Sequence, residues 1–323
     1  MDAPWIGQLE KHAGNPILRR EPSNGWEAGA TYNSSAVVWD KRVWMIYRAE
    51  DVPPKLISEE NLYTGRLGLA SSDDGFRFDR VSNQPIIGTD GRFAADKTRG
   101  VEDPRLTQMD DGRFLLTYTA FSGKTLNDWG PGRIKLFLAE SRDLRSWHEY
   151  GPVFPFSTKS GGILGKKVGG RYVMYYGDTD IFLAESEDGV RWQSTRKLVF
   201  GARAGYADDG GVEVGPSPIL TRKGILLIYN MIRKDKPMHY LPGYVLLDKD
   251  DPTRVLDRSE EPILRGELEM ERCYRCSEFH GGGNYILFAM GSVIKDGRFF
   301  LYYGCADEVV GVASAPVNPA WFD

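Results

Sequence analysis

The chain has 323 residues and carries 41 Lys and Arg against 45 Asp and Glu, a formal net charge of −4. That balance offers no basic field to nucleic acid or anionic lipid, and no apolar run reaches the length of a membrane span, so neither partner is expected. Three cysteines are too few and too odd for a disulfide framework.

The opening stretch, MDAPWIGQLEKHAGNPIL, has no basic segment followed by an apolar one. It does not read as a signal peptide, and the cytoplasm is the expected compartment. One short pattern then recurs five times: a turn with Asp, Gly or Lys, apolar alternation, and a closing Tyr. It appears in DKRVWMIYRAED at Tyr47, DGRFLLTYTAF at Tyr118, GGRYVMYYGD at Tyr176, RKGILLIYNM at Tyr229 and DGRFFLYYGC at Tyr303. In every copy the Tyr lies six residues beyond the same turn position: Lys41, Gly112, Gly170, Lys223 or Gly297. A second motif follows in several copies: LGLASSDDGFRF to Phe78, LFLAESRDLRSW to Trp147 and IFLAESEDGVRW to Trp192. A weaker relative, VVGVASAP, follows Asp307. Each reads as a strand, a turn on Asp and Gly, and an aromatic opening the next strand.

These motifs predict units of three to four short strands, spaced by about 50 to 75 residues, with no segment of convincing helical period. Radial repetition of antiparallel sheets buries such units and limits their exposed edges. The expected fold is therefore all-β, a five-bladed β-propeller, with residues 1–323 forming one domain. The repeat is too long for a β-helix and too regular for a sandwich.

In a propeller the innermost strands line a central channel, and here they should precede each Tyr-ending strand. Five segments fit: TYNSSAVVW, RGVEDPRLT, TKSGGILGK (with Lys159), GGVEVGPSPIL and NYILFAMGSV. Two bring in carboxylates, Glu102 with Asp103, and Glu213, where a neutral strand would pack better. Glycoside cleavage gives them a use, because it needs an acid for the leaving oxygen and often a second carboxylate to activate water. The bland alternatives are a turn in which Asp103 pairs with Arg105, and a strand-end Glu213 held by backbone amides. Glu140 and Glu185, in the two LAES motifs, read as structural. His12, His148 and His239 are expected in loops or at blade edges, whereas His280, before three glycines, is a candidate sugar contact. Cys273 and Cys276 form a lone CxxC without the further ligands zinc needs, so reduced cysteines, no metal and no cofactor are expected.

Taken together, GVEDPRLT (100–107), YNSSAVV followed by YRAED, LLDKDDP (246–252) and LYYGCADEVVGVA (301–313) resemble glycoside hydrolase family 130, the mannoside phosphorylases and related β-mannosidases. The resemblance implies a five-bladed propeller acting on an oligosaccharide. It implies Asp103 as proton donor, working through a hydroxyl of the bound mannosyl unit. Asn33, Ser34, Arg48, Tyr240 and Asp307 match sugar-site residues, and Arg66 aligns more loosely; Glu102, Arg105, Lys159 and His280 complete the candidate set. Phosphorylases of the family hold phosphate with basic residues where this chain has Gly177-Asp178 and Asn230, although Arg133 is a possible survivor of that set. Gly and Asn are poor substitutes for charge-assisted donors, and Glu213 would repel phosphate. The expectation is thus inverting hydrolysis of a β-1,2- or β-1,4-mannoside, Asp103 being the acid and Glu213 the base, with the carboxyls about 6.5–9.5 Å apart. The alternatives are a phosphorylase releasing mannose 1-phosphate and a non-catalytic carbohydrate-binding propeller. Linkage, acceptor sugar and oligomeric state stay open.

Overall fold

Each Tyr-ending run forms the second strand of an antiparallel sheet in the computed structural model, which describes residues 4–125, 128, 130–234, 240–273 and 284–322. An N-terminal strand, β1 (Glu10–Lys11), precedes the first unit. That unit runs β2 (Ala30–Trp39), β3 (Arg42–Glu50), β4 (Gly65–Ser72) and β5 (Asp79–Arg80). The second contains β6 (Gly100–Gln108), β7 (Phe114–Phe121), β8 (Ile134–Ser141) and β9 (His148–Pro152). The third has β10 (Gly161–Ile163), β11 (Tyr172–Tyr176), β12 (Ile181–Ser186) and β13 (Gln193–Phe200). The fourth has β14 (Gly211–Val214), β15 (Ile219–Thr221), β16 (Gly224–Ile232), β17 (Tyr240–Leu247) and β18 (Val255–Arg258). After a short pair, β19 (Arg272–Cys273) and β20 (Asn284–Tyr285), the fifth comprises β21 (Leu287–Lys295), β22 (Arg298–Cys305) and β23 (Val309–Pro316). β1 returns to pair with β23 as its outermost strand, Glu10 opposite Ser314.

The second strands are apolar on both faces because both faces are buried. In β16, Ile225, Leu227, Tyr229 and Met231 pack toward the third unit, while Leu226 and Ile228 pack toward the fifth. The same division holds around the molecule. Separate cores lie between units one and two, two and three, three and four, and four and five, and another joins five back to one. The sheets of the first two units are also joined by one parallel ladder pair, Gly65 and Gly100. Gly100 has φ +107, and a Cβ there would lie 2.2 Å from the Gly65 carbonyl oxygen, so neither conformation nor space admits another residue. A cavity of about 260 Å³ is lined by all five units, through Ser35, Thr107, Gly165, Ser217 and Ser292 among others.

The repeated tyrosines have a common polar task. Tyr47 donates to Glu27 at 3.0 Å, and Arg80 binds the same carboxylate at 2.8 Å. Tyr118 donates to Glu149, held by Lys97 at 2.9 Å. Tyr229 donates to Asp208 at 2.8 Å, with Arg203 at 2.9 Å, and Tyr303 to Glu271 at 3.1 Å, with Lys11 at 2.8 Å. The third copy departs: Tyr176 meets Ser194 at 2.6 Å instead. In the second motif, Ser72, Ser141 and Ser186 and the Asp two residues later accept the backbone N–H groups of the turn, as in Gly75 to Ser72 at 2.8 Å.

One expectation is corrected: Cys273 is disulfide-bonded rather than reduced, and Cys276 lies outside the described residues. Cys305 is free and buried. His239 and the candidate sugar contact His280 also lie outside the described residues. Among the described residues no helix is long and apolar enough to cross a membrane.

Candidate active site

Local backbone distortion aims the first site residues. The β2–β3 register shifts between Tyr32 and Ser35, and the β6–β7 register between Glu102 and Arg105. At these bulges Asn33 (φ +45) and Asp103 (φ +53) take the left-handed conformation, which costs a non-glycine residue roughly 1–3 kcal/mol and clusters at functional sites. The distortion brings the two side chains together, Asn33 Nδ2 donating to Asp103 Oδ1 at 2.9 Å. Arg48 Nη1 donates to the same oxygen at 3.1 Å. Both bonds fall on Oδ1, which leaves Oδ2 for a ligand.

Arg48 is the hub. Its Nη2 donates to Glu50 at 2.7 Å and to Glu102 at 2.9 Å, and its guanidinium lies 4.7 Å from the Tyr32 ring centroid and 5.6 Å from that of Tyr63. Tyr32 donates to Glu50, and Tyr63 to Glu102 at 3.0 Å. Three carboxyls thus share one arginine through its two terminal nitrogens. Burial alone would raise the Asp103 pKa, but Arg48, Lys159, the Asn33 bond and Arg105 outweigh it and hold the group below the usual carboxylate value. Glu102 goes the other way: burial, with Asp103 and Glu50 adding repulsion, raises it despite Arg48.

A second carboxyl cluster sits beyond Arg105. Glu213, on β14, is buried, accepts from Ser160 Oγ, and lies 3.4 Å from Lys159 Nζ and 3.9 Å from Arg105. Lys159 also reaches Asp178 at 3.8 Å. Burial raises the Glu213 pKa, and Asp178 adds to this, against the pull of Lys159 and Arg105. Tyr240 is pushed up to about 12 by burial and by Glu213, with further repulsion from Asp307 and Asp178, against the pull of Lys159. Arg105 joins the two clusters, donating to the Asp103 carbonyl oxygen at 3.2 Å and lying 3.9 Å from Glu213.

Several expected roles change with the geometry. Arg105 is turned to the backbone: it donates to the carbonyls of Val214 at 2.5 Å, Gly215 at 2.9 Å and Asp103 at 3.2 Å, bracing β6 against β14. The local Asp103–Arg105 side-chain pair of the bland reading does not form; Asp103 turns to Asn33 and Arg48. Arg66 stands aside, paired with Asp51 at 3.1 Å, and Ser34 is wholly buried, its Oγ without a hydrogen bond among the described residues. Arg133 pairs with Asp128 at 3.2 Å. Asn230 spends both ends of its amide on Ala289, at 3.1 and 2.8 Å, and is a bracket between β16 and β21. Glu140 is held by Arg113 and Tyr150, each at 3.0 Å, in keeping with a structural role. Glu50, Tyr63 and Asp178 were absent from the sequence-derived set. Glu50 lay within the quoted YRAED motif and Asp178 among the noted departures, but Tyr63 carried no signal.

The family profile described as beta-1,4-mannooligosaccharide phosphorylase matches residues 8–319. So nearly complete a match makes this chain an enzyme that acts on glycosides. It belongs to glycoside hydrolase family 130. A 1,2-beta-oligomannan phosphorylase of Thermoanaerobacter sp. (strain X514) is 32% identical over 95% of this chain and 96% of its own length. A beta-1,2-mannobiose phosphorylase of the same organism is 29% identical over the same shares. Among solved structures, one described under the statement that this family of mannoside phosphorylases contains glycoside hydrolases targeting beta-1,2 mannosidic linkages in Candida mannan superposes with a TM-score of 0.86. It is 30% identical, over 99% of this chain and 98% of that one.

Proposed function

We propose that the five units are the blades of a propeller and that the enzyme hydrolyses β-mannosides with inversion. Support for the propeller comes from the ring of inter-unit cores and from the cavity that all five units line. Hydrolysis rests on one observation: a second buried carboxyl, Glu213, lies 3.9 Å from Arg105, which also donates to the Asp103 carbonyl, and 3.4 Å from Lys159, and such a carboxylate would oppose an anionic nucleophile and can accept a proton from water. Water attacks the anomeric carbon and gives a proton to Glu213 as the glycosidic C–O bond breaks. The leaving oxygen takes a proton from a mannosyl hydroxyl, which Asp103 Oδ2 replenishes. Asn33, Arg48, Tyr240 and Asp307 surround the mannosyl unit, while Glu102, Glu50 and Tyr63 hold Arg48.

Phosphorolysis is the second reading, and the named activities of the curated relatives favour it over hydrolysis. The two are separated by incubating the enzyme with β-1,2- and β-1,4-linked manno-oligosaccharides, with and without inorganic phosphate. Free mannose formed at equal rates in both buffers is the expected result. Mannose 1-phosphate formed only with phosphate would replace hydrolysis by phosphorolysis.

A further inference from the structure

Lys159 is held from two sides, 3.4 Å from Glu213 and 3.8 Å from Asp178. The other two cations of the site are buried and turned to the protein, Arg48 donating to three carboxyls and Arg105 to three carbonyls. Lys159 retains solvent access, with 27% of its side chain exposed, and Asp178 is more open still at 47%. Asp178 follows Gly177, whose φ of +128 and 2.0 Å approach of a hypothetical Cβ to the Asp180 carbonyl fix the course of this turn. A phosphate dianion entering a half-buried site needs charge-assisted donors, and each like charge beside it is repulsive.

We propose that Asp178 is a specificity-determining residue: with Glu213 it occupies Lys159 from both sides, so that the accessible cation is closed to phosphate and water remains the nucleophile. This deepens the hydrolytic reading and rests on it. Lys159 keeps its proton firmly, because Glu213 and Asp178 more than offset its burial, so it is a standing positive charge that only these carboxylates mask. Removing both negative charges should let phosphate in. A phosphate oxygen would then bond to the anomeric carbon as the glycosidic bond breaks, the leaving oxygen taking its proton by the route from Asp103.

The test measures phosphate as an inhibitor of mannoside hydrolysis. Asp178→Asn should lower the phosphate Ki by at least about tenfold, the size expected for removing one charge near a dianion at a partly screened site. Asp178→Glu should restore the weak inhibition of the unaltered enzyme, and Asp178→Asn/Glu213→Gln should release mannose 1-phosphate in phosphate buffer. An unchanged Ki in Asp178→Asn, with the unaltered enzyme hydrolysing, would overturn the role of Asp178 and leave hydrolysis standing. Mannose 1-phosphate from the unaltered enzyme would overturn both.

Discussion

Asp103 and Glu213 are driven in opposite directions. Burial is opposed at Asp103 by Arg48, Lys159 and the Asn33 bond, so its carboxyl ionises easily; at Glu213 burial prevails and the proton is held. The proposed chemistry needs the reverse, a proton on Asp103 and a charge on Glu213. For such a pair the product of the two fractions rises with pH until Asp103 titrates, stays level, and falls once Glu213 has titrated. The acid limb of kcat/KM should therefore belong to Asp103 and the alkaline limb to Glu213, the opposite of the usual assignment. Glu213→Gln, with turnover rescued by azide as an external nucleophile, leaves only the protonated fraction of Asp103 to govern the rate, so the rising acid limb and the plateau should vanish and the fall should begin at the Asp103 value; a fall that stays at its original, higher pH would remove Glu213 from the role of base. Asp103→Asn should reduce turnover by about 10²–10⁴-fold while a mannoside still binds. Loss of binding in parallel would make Asp103 a sugar anchor and not an acid. The linkage to stability has matching signs. Asp103, with its lowered value, contributes stability at pH above the usual carboxylate range, which is lost as pH falls through its folded value. Glu213, with its raised value, costs stability above its folded pKa, and acid relieves that cost.

At the scale of elements, the strand-turn-strand repeat was legible because its second strands are buried on both faces, and a doubly buried strand leaves a continuous apolar run at a fixed offset from its turn. What the closing Tyr does was not legible. Its carboxylate partner lies 20 residues away for Tyr47, 31 for Tyr118, 21 for Tyr229 and 32 for Tyr303, on either side in sequence, so no spacing betrays it. The bulges at Asn33 and Asp103 were hidden too, since a bulge is a difference in count between two paired strands and a single strand does not display it. The Glu102–Asp103–Pro104–Arg105 motif announced carboxylates, but not that Asp103 turns to Arg48 while Arg105 clamps β14. The Tyr latch predicts unequal costs for one chemical change. Tyr303→Phe strips a hydroxyl from fully buried Glu271 and should cost about 1–3 kcal/mol, the penalty of a buried acceptor losing a donor. Tyr176→Phe, which loses only a bond to Ser194, should cost about 0.5–1.5 kcal/mol. Urea unfolding of the two variants decides it: equal losses would mean that the repeated Tyr is kept for its ring.

For the molecule as a whole, the fifth unit depends on residues from the other end of the chain. β1 gives β23 its outer partner, and the segment continues along it: His12 N–H donates to Val312 O at 3.0 Å, the Asn15 side chain bonds both the N–H and the C=O of Val312, and Ile17 N–H reaches Val310 O at 2.9 Å. Trp5 and Leu9 fill the core between units four and five, and Lys11 neutralises the carboxylate that Tyr303 binds. Removing residues 1–13 would therefore bare the ladder groups of β23, withdraw two large apolar side chains at about 1.5–3 kcal/mol each, and leave Glu271 buried without its cation. The expected result is a lower unfolding temperature and concentration-dependent association through the exposed β23 edge, read by calorimetry and light scattering. The site residues lie on other strands, so the fraction that stays folded should keep the KM of the full chain while its half-life at elevated temperature shortens. An unchanged unfolding temperature would instead assign closure to the apolar contact between units five and one, where Val43, Met45 and Tyr47 meet Phe300 and Tyr302. Val43→Ala in that core would then become the substitution that loosens unit five from unit one.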